Sequence, residues 1–215
     1  MKGFVFDLDG VLADTAKYHY IAWKKLANEI GIQIDEAFNE QLKGISRQES
    51  LERILEYGNK AAAFSKQETA AMAEKKNQQY VELLDELSPE DALPGVREFL
   101  ASAQQYNIPC TVASASKNAP FILDKLGIRE YFAGIVDPAG LTKGKPDPEI
   151  FIKAAQLMRL KPNETIGFED AQAGIDGIKG CGMYAIGLGT AEQLIGADRV
   201  IRALSEVTVE ELIRL

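Results

Sequence analysis

Phe4-Val5-Phe6-Asp7-Leu8-Asp9-Gly10 decides the fold. A short apolar run that ends on two carboxylates and a glycine reads as a buried strand with acidic residues at its exit. Similar runs recur at 108–114, 134–137, 165–169 and 184–188, separated by helix-like segments at 96–106, 119–126, 148–158 and 174–180. Strand alternating with helix predicts an α/β, Rossmann-like parallel sheet covered on both faces. Right-handed crossovers would then line the strand exits along one edge, where such sheets bind ligands.

The stretch from Thr15 to Ala92 breaks this alternation. It holds amphipathic segments at 15–30, 34–42, 47–56 and 66–87 and no convincing strand, and Ser88-Pro89 with Leu93-Pro94-Gly95 marks the return. The expected organisation is a core of residues 1–14 and 93–215 carrying a helical cap of residues 15–92.

The 215 residues carry 24 basic and 32 acidic side chains, for a net charge of −8, which argues against a general nucleic-acid binder. No apolar run approaches the roughly 18 residues of a membrane span. Acidic residues follow the first short apolar run, where a signal peptide would stay apolar. Cys110 and Cys181 lack metal-ligand spacing and read as reduced thiols used as small apolar residues. The expectation is a cytoplasmic monomer acting on a small molecule, with no nucleic-acid or membrane partner.

Four strand exits carry chemistry. Asp7 and Asp9, two apart on a strand, would face the same side and repel, a repulsion that a hard divalent cation such as Mg²⁺ relieves. Asp-x-Asp alone is more often a solvated loop; the buried strand before it and Gly10 after it favour the functional reading. Ser114-Ala115-Ser116-Lys117-Asn118 offers hydroxyls, backbone N–H groups and a cation to a phosphate, although Ser116 or Asn118 could simply cap a helix. In Lys143-Gly144-Lys145-Pro146-Asp147-Pro148, Pro146 biases Lys145 away from helical geometry just before a helix start, a suitable place for a phosphate clamp. Glu169-Asp170 leaves the fourth run; adjacent carboxylates point apart, so one could ligate a metal ion directly and the other support metal-bound water.

In combination these motifs resemble the haloacid-dehalogenase-like phosphotransferases, whose four motifs are an Asp-x-Asp loop, a Ser/Thr, a Lys and an acidic pair. Asp14–His19, Leu42–Arg47, Lys75-Lys76-Asn77 and Ser114–Asn118 look, more closely, like the β-phosphoglucomutase family. That family interconverts β-D-glucose 1-phosphate and glucose 6-phosphate through β-D-glucose 1,6-bisphosphate, which serves as activator and intermediate. The resemblance implies that Asp7 is the nucleophile that becomes an aspartyl phosphate and Asp9 the general acid/base. It implies one Mg²⁺ held by Asp7, Asp170 and the Asp9 carbonyl, with Glu169 in or beside that shell. Lys145 and Ser114 would bind the transferring phosphate. Arg47, with its forked guanidinium, would take the distal phosphate together with Ser116, Lys117 and Asn118. Ala115, Gly44, Ile45, Ser50 and Trp23 would border the sugar.

His19 is the sole histidine, and beside Tyr20 and Trp23 its ordinary reading is packing. Thr15 and His19 lie one helical turn apart and so share a face. By resemblance, Thr15, His19 and Lys76 link cap closure to the placement of Asp9.

The main alternative is a phosphatase on the same scaffold, since both activities make an aspartyl phosphate and differ only in whether water or a sugar hydroxyl attacks it. A response-regulator receiver would need neither the helical insertion nor Asp9, and a sugar-phosphate-binding protein would not explain the pair Asp7 and Asp9.

Overall fold

The computed structural model describes residues 1–215. Six parallel strands form one sheet in the order β3-β2-β1-β4-β5-β6: β1 (Gly3–Phe6), β2 (Cys110–Val112), β3 (Phe132–Ile135), β4 (Thr165–Glu169), β5 (Tyr184–Leu188) and β6 (Arg199–Ile201). β1 and β4 lie at the centre and are buried along their whole length, which is why they read as continuous apolar runs. Successive side chains of β1 point to opposite faces. Phe4 and Phe6 join Phe168 and Phe99 in one cluster, with the Phe6 and Phe168 rings stacked at 4.7 Å, while Val5 packs into another.

Helices cover both faces, as expected. α5 (Val96–Gln105), α6 (Ala119–Lys125) and α9 (Val209–Ile213) supply Phe99, Ile122 and Leu212 to the phenylalanine side. α7 (Glu149–Leu157) and α8 (Gln172–Gly180) supply Phe151, Ala154, Ile175 and Ile178 to the Val5 side.

Between β1 and β2 the chain forms α1 (Ala16–Glu29), α2 (Glu36–Glu40), α3 (Arg47–Tyr57) and α4 (Lys66–Leu84). Asp35, Ser46 and Ser65 each accept a backbone N–H at a helix start, and Ser65 with Glu68 closes a capping box. Trp23, Leu26, Phe38, Leu51 and Ile54 give this helical unit an apolar core separate from the sheet. Its base is not separate: Tyr18, Ala22, Tyr80 and Leu84 join the phenylalanine cluster. No helix is long and apolar enough to cross a membrane.

Three details depart from the sequence reading. β1 stops at Phe6, so Asp7 and Asp9 do not alternate along a strand. The Asp7 N–H still reaches the Phe168 carbonyl, but the chain then turns, with the Leu8 carbonyl accepting from Val11, Leu12 and Ala13 and Gly10 at φ +83°. β3 begins at Phe132 rather than 134. β6 and α9, which no apolar run announces, complete the sheet edge and one face away from the strand exits of β1, β2 and β4.

Candidate active site

The strand exits of β1, β2 and β4 open into a cavity of about 370 Å³ roofed by α1, α3 and α4. Every site residue expected from the sequence lines it except Thr15, Lys145 and Glu169, which lie behind its wall. Those three touch the lining groups directly.

Lys145 donates to Asp7 Oδ1 at 2.5 Å and to Glu169 Oε2 at 2.7 Å, with all three side chains buried. Burial works against its charge, but the two carboxylates overcome it and hold the ammonium above its ordinary pKa. The Glu169 Oε1 atom accepts the N–H groups of Asp170 and Ala171, so both of its oxygens are engaged within the chain. The loop ahead of α7 is organised by Glu149, which accepts from the Thr142 hydroxyl and from the Thr142 and Lys143 amides.

Asp9 faces the cavity from the turn after β1. Its Oδ1 accepts a hydrogen bond from the Thr15 hydroxyl. Thr15 occupies the N-cap position of α1, but its backbone is already helical there and its side chain caps nothing. Burial, then Asp7, pushes the Asp9 pKa up to about 6, against the lowering effect of Thr15. On its other side, Asp9 Oδ2 lies 3.8 Å from His19 Nε2. His19 Nδ1 in turn meets Lys76 Nζ at 2.8 Å. Burial and the charges of Lys76 and Arg47 hold the His19 pKa well below its ordinary value, so the ring is neutral.

The turn after β2 is internally braced: the Ser116 amide donates to the Ser114 hydroxyl and the Asn118 amide to the Ser116 hydroxyl. The Ala115 and Lys117 amides meet no acceptor in the protein and are available to an anion. Arg47 stands at the first position of α3, its Nη1 atom 3.2 Å from Glu74 Oε2. Ser50 is buried and bonds the Ser46 carbonyl. Gly44 has φ +73° and approaches so closely that a Cβ there would press on Ala171 of the core. The helical unit and the sheet also meet polar to polar, Asn118 Nδ2 donating to Asn77 Oδ1 at 2.9 Å.

Asp7, Glu169 and Asp170 each bring a carboxylate oxygen within 4.8 Å of the others. Ionised, they carry three negative charges, and Lys145 is the one ammonium in close contact with them. Burial, with Glu169 and Asp7 beside it, raises Asp170 well above the carboxylate range, and the only cation at hand is Lys43 at 3.9 Å. The Asp9 carbonyl accepts no hydrogen bond from the protein. An all-oxygen set with this charge deficit fits a hard divalent cation such as Mg²⁺. Of the acidic pair, Asp170 has the free oxygens, whereas those of Glu169 are in use.

Sequence reasoning gave no role to Lys43, Glu74, Asn77 and Tyr80, all on the cavity wall. Asn77 and Tyr80 follow Ala73 and Lys76 at helical spacing, so the face presented by Lys76 was the signal that would have found them.

Residues 1–182 match the model of the haloacid dehalogenase-like hydrolases. A Bacillus subtilis (strain 168) protein named beta-phosphoglucomutase is 47% identical over 212 residues, covering 99% of this chain and 94% of its own. The crystal structure of a Clostridium difficile beta-phosphoglucomutase superposes with a TM-score of 0.97 at 47% identity, covering 100% of this chain and 96% of its own. A Thermotoga maritima phosphorylated carbohydrates phosphatase is 28% identical and covers 86% of this chain and 84% of its own.

Proposed function

The chain belongs to the haloacid dehalogenase-like hydrolase family, and on that premise we propose that it is a β-phosphoglucomutase, interconverting β-D-glucose 1-phosphate and glucose 6-phosphate. The observation that carries this reading is the basic pair lowered onto the acid/base residue from the roof: Lys76 on His19, and His19 towards Asp9. A phosphatase needs no such link between its roof and Asp9, since its acceptor is water.

In this reading an Asp7 carboxylate oxygen attacks the phosphorus of the bisphosphate. The bond from phosphorus to the sugar oxygen breaks, and Asp9 gives that oxygen its proton. The aspartyl phosphate then transfers to a hydroxyl of the incoming sugar phosphate, whose proton returns to Asp9. An Asp9 pKa near 6 suits both directions, because neither protonation state is remote at neutral pH. Lys145, already against Asp7, and Ser114 hold the equatorial oxygens of the transferring group. Arg47 grips the distal phosphate by its fork, with Ser116, Lys117 and Asn118 across the cavity. Gly44, Ile45, Ala115 and Ser50 border the sugar.

Asp7, Asp170 and the Asp9 carbonyl would hold Mg²⁺, with Glu169 anchoring Lys145 beside it. When bound, the cation neutralises the carboxylates and the phosphoryl oxygens they must meet. β-Glucose 1,6-bisphosphate is the activator, because only a phosphate already on Asp7 can be passed to a monophosphate. Residues 15–92 act as the cap on a core of 1–14 and 93–215, and their own apolar cluster supports their moving as a unit. Two free cysteines support the reducing cytoplasm.

The test is to supply Mg²⁺, β-glucose 1-phosphate and a trace of bisphosphate, and to measure glucose 6-phosphate and free phosphate together. Rapid glucose 6-phosphate with little free phosphate is expected. Free phosphate alone would make the protein a phosphatase and overturn the argument from the roof.

A further inference from the structure

Lys76 is 2% exposed and sits on a helix otherwise buried by apolar residues. Burial and the neighbouring Arg47 charge draw its pKa down to about 7, with Asp9 working the other way, so the charged form depends on the further stabilisation of its immediate surroundings. What surrounds the ammonium is aromatic. Its Nζ lies 4.5 Å from the centre of the Trp23 ring and 4.6 Å from that of Tyr80, so two π faces receive one charge. The Tyr80 ring also stacks on His19, with centroids 4.0 Å apart and planes at 32°. Tyr80 is 1% exposed; its hydroxyl lies near Thr15 and Asp9 without a well-formed hydrogen bond. The ring is the part that meets Lys76 and His19.

The chemistry of the pair follows. An ammonium only donates, so the His19 Nδ1 atom 2.8 Å from Lys76 accepts, and the proton of the neutral ring sits on Nε2. Nε2 has no partner of its own and lies 3.8 Å from Asp9 Oδ2. If Lys76 lost its proton it would need one, and the tautomer would no longer be fixed. Trp23 and His19 come from α1, Lys76 and Tyr80 from α4, so the pairing of these two helices builds the arrangement.

We propose that Trp23 and Tyr80 are positioning residues: their rings cradle the Lys76 ammonium, which locks His19 as the Nε2–H tautomer with that proton turned towards Asp9. Trp23, which the sequence places beside the sugar, thus acts through Lys76. The role in turnover rests on the mutase reading above; the tautomer does not, and can be tested apart from it.

Because His19 is the sole histidine, its ring nitrogens are the only imidazole signals in a nitrogen-15 NMR spectrum of the tag-free protein. The wild type is expected to show one neutral Nε2–H form at neutral pH; an Nδ1–H form or an imidazolium would overturn the proposal, whatever reaction is catalysed. Tyr80→Phe keeps the ring and should keep the tautomer. Tyr80→Leu and Trp23→Leu remove a ring and should give mixed tautomers. In the mutase assay their kcat should fall about tenfold with little change in KM, the loss of roughly one desolvated cation–π contact. A folded Tyr80→Leu with an unmixed tautomer, or a Tyr80→Phe with tautomers as mixed as those of Tyr80→Leu, would refute the cradle. If the Leu variants fail to fold, the wild-type spectrum and Tyr80→Phe still decide it.

Discussion

Replacing Thr15 with Val changes one thing at the site: the donor to Asp9 disappears while volume and β-branching stay. Thr15 is fully buried and its hydroxyl does not cap α1; Asp9 is the acceptor it reaches, with the Tyr80 hydroxyl close by. A hydrogen bond to a charged acceptor contributes about 1.5–3 kcal/mol net. At 1.36 kcal/mol per pKa unit, its loss should raise the Asp9 pKa by about 1–2 units. The starting value is about 6, so the variant should titrate near or above neutrality. When the phosphoenzyme receives a sugar hydroxyl, Asp9 must be ionised to take the proton. The acid limb of kcat/KM for β-glucose 1-phosphate, measured on bisphosphate-primed enzyme, reports that ionisation. Thr15→Val should move the limb to higher pH by about 1–2 units, and Thr15→Ser, which restores the donor, by a few tenths at most.

The same bond has a sign in stability. The folded Asp9 pKa lies above its unfolded value of 3.8, so ionising Asp9 costs stability, and the cost enters as pH rises from about 3.8 to about 6. Without Thr15 the cost continues to grow to a higher pH. Urea unfolding of metal-free protein should therefore show Thr15→Val weaker by about 1.5–3 kcal/mol above the new pKa and near wild type below pH 4. A limb that stays in place in Thr15→Val, or one that moves as far in Thr15→Ser, would refute the role given to the hydroxyl.

Arg47 is paired with Glu74, whose side chain is 59% exposed, and such a pair is worth up to about 1 kcal/mol. Glu74→Gln should lower the KM for bisphosphate by at most about fivefold, whereas Arg47→Ala should raise it and spare phosphoryl transfer from acetyl phosphate. Lys153, then Thr142 and the Lys143 amide, holds the Glu149 pKa down to about 2, below its ordinary 4.5. A lowered carboxylate stabilises above its unfolded pKa and loses that contribution as pH falls through about 2, so acid unfolding of Glu149→Gln should lack this step; hydrogen exchange at 142–146 should rise in the variant. Asp170→Asn should raise the Mg²⁺ concentration needed for half-maximal turnover more than Glu169→Gln does, because the Glu169 oxygens are already taken by Lys145 and two amides. The reverse order in an EDTA-stripped, Mg²⁺-titrated assay would move Glu169 into the metal shell.

Much of the site was legible because its parts lie at strand exits, where an apolar run stops and a polar cluster begins. Phe4–Phe6 before Asp7 and Thr165–Phe168 before Glu169 mark both the central strands and their chemistry. The position of Asp9 was not legible as strand alternation. It is set by the tight turn around the Leu8 carbonyl, and that turn is tight because Gly10 takes φ +83° where a Cβ would collide with the Asp170 carboxylate. β6 is three residues long and pairs only with β5, too short for any period to register. The aromatic cradle was hidden for another reason: Trp23 and Lys76 are 53 positions apart, and a tryptophan among tyrosines on an amphipathic helix reads as core until its neighbour across the helix pair is known.

What separates a mutase from a phosphatase on this scaffold is the roof, and its charges are held loosely where substrate must enter and tightly where it must not. Lys43 reaches Asp170 at only 3.9 Å and shares itself with Glu40, and Arg47 is held by a well-exposed Glu74. Each is a weak, part-screened pair that a dianionic phosphate or a divalent cation outcompetes. Lys76, by contrast, is enclosed by two rings and His19. A sugar phosphate entering the cavity therefore rearranges Arg47 while the groups facing Asp9 stay where they are. Water, carrying no charge, displaces neither pair and gains nothing from Arg47. It reaches an aspartyl phosphate with the roof unengaged, and that difference in engagement favours transfer to sugar over hydrolysis.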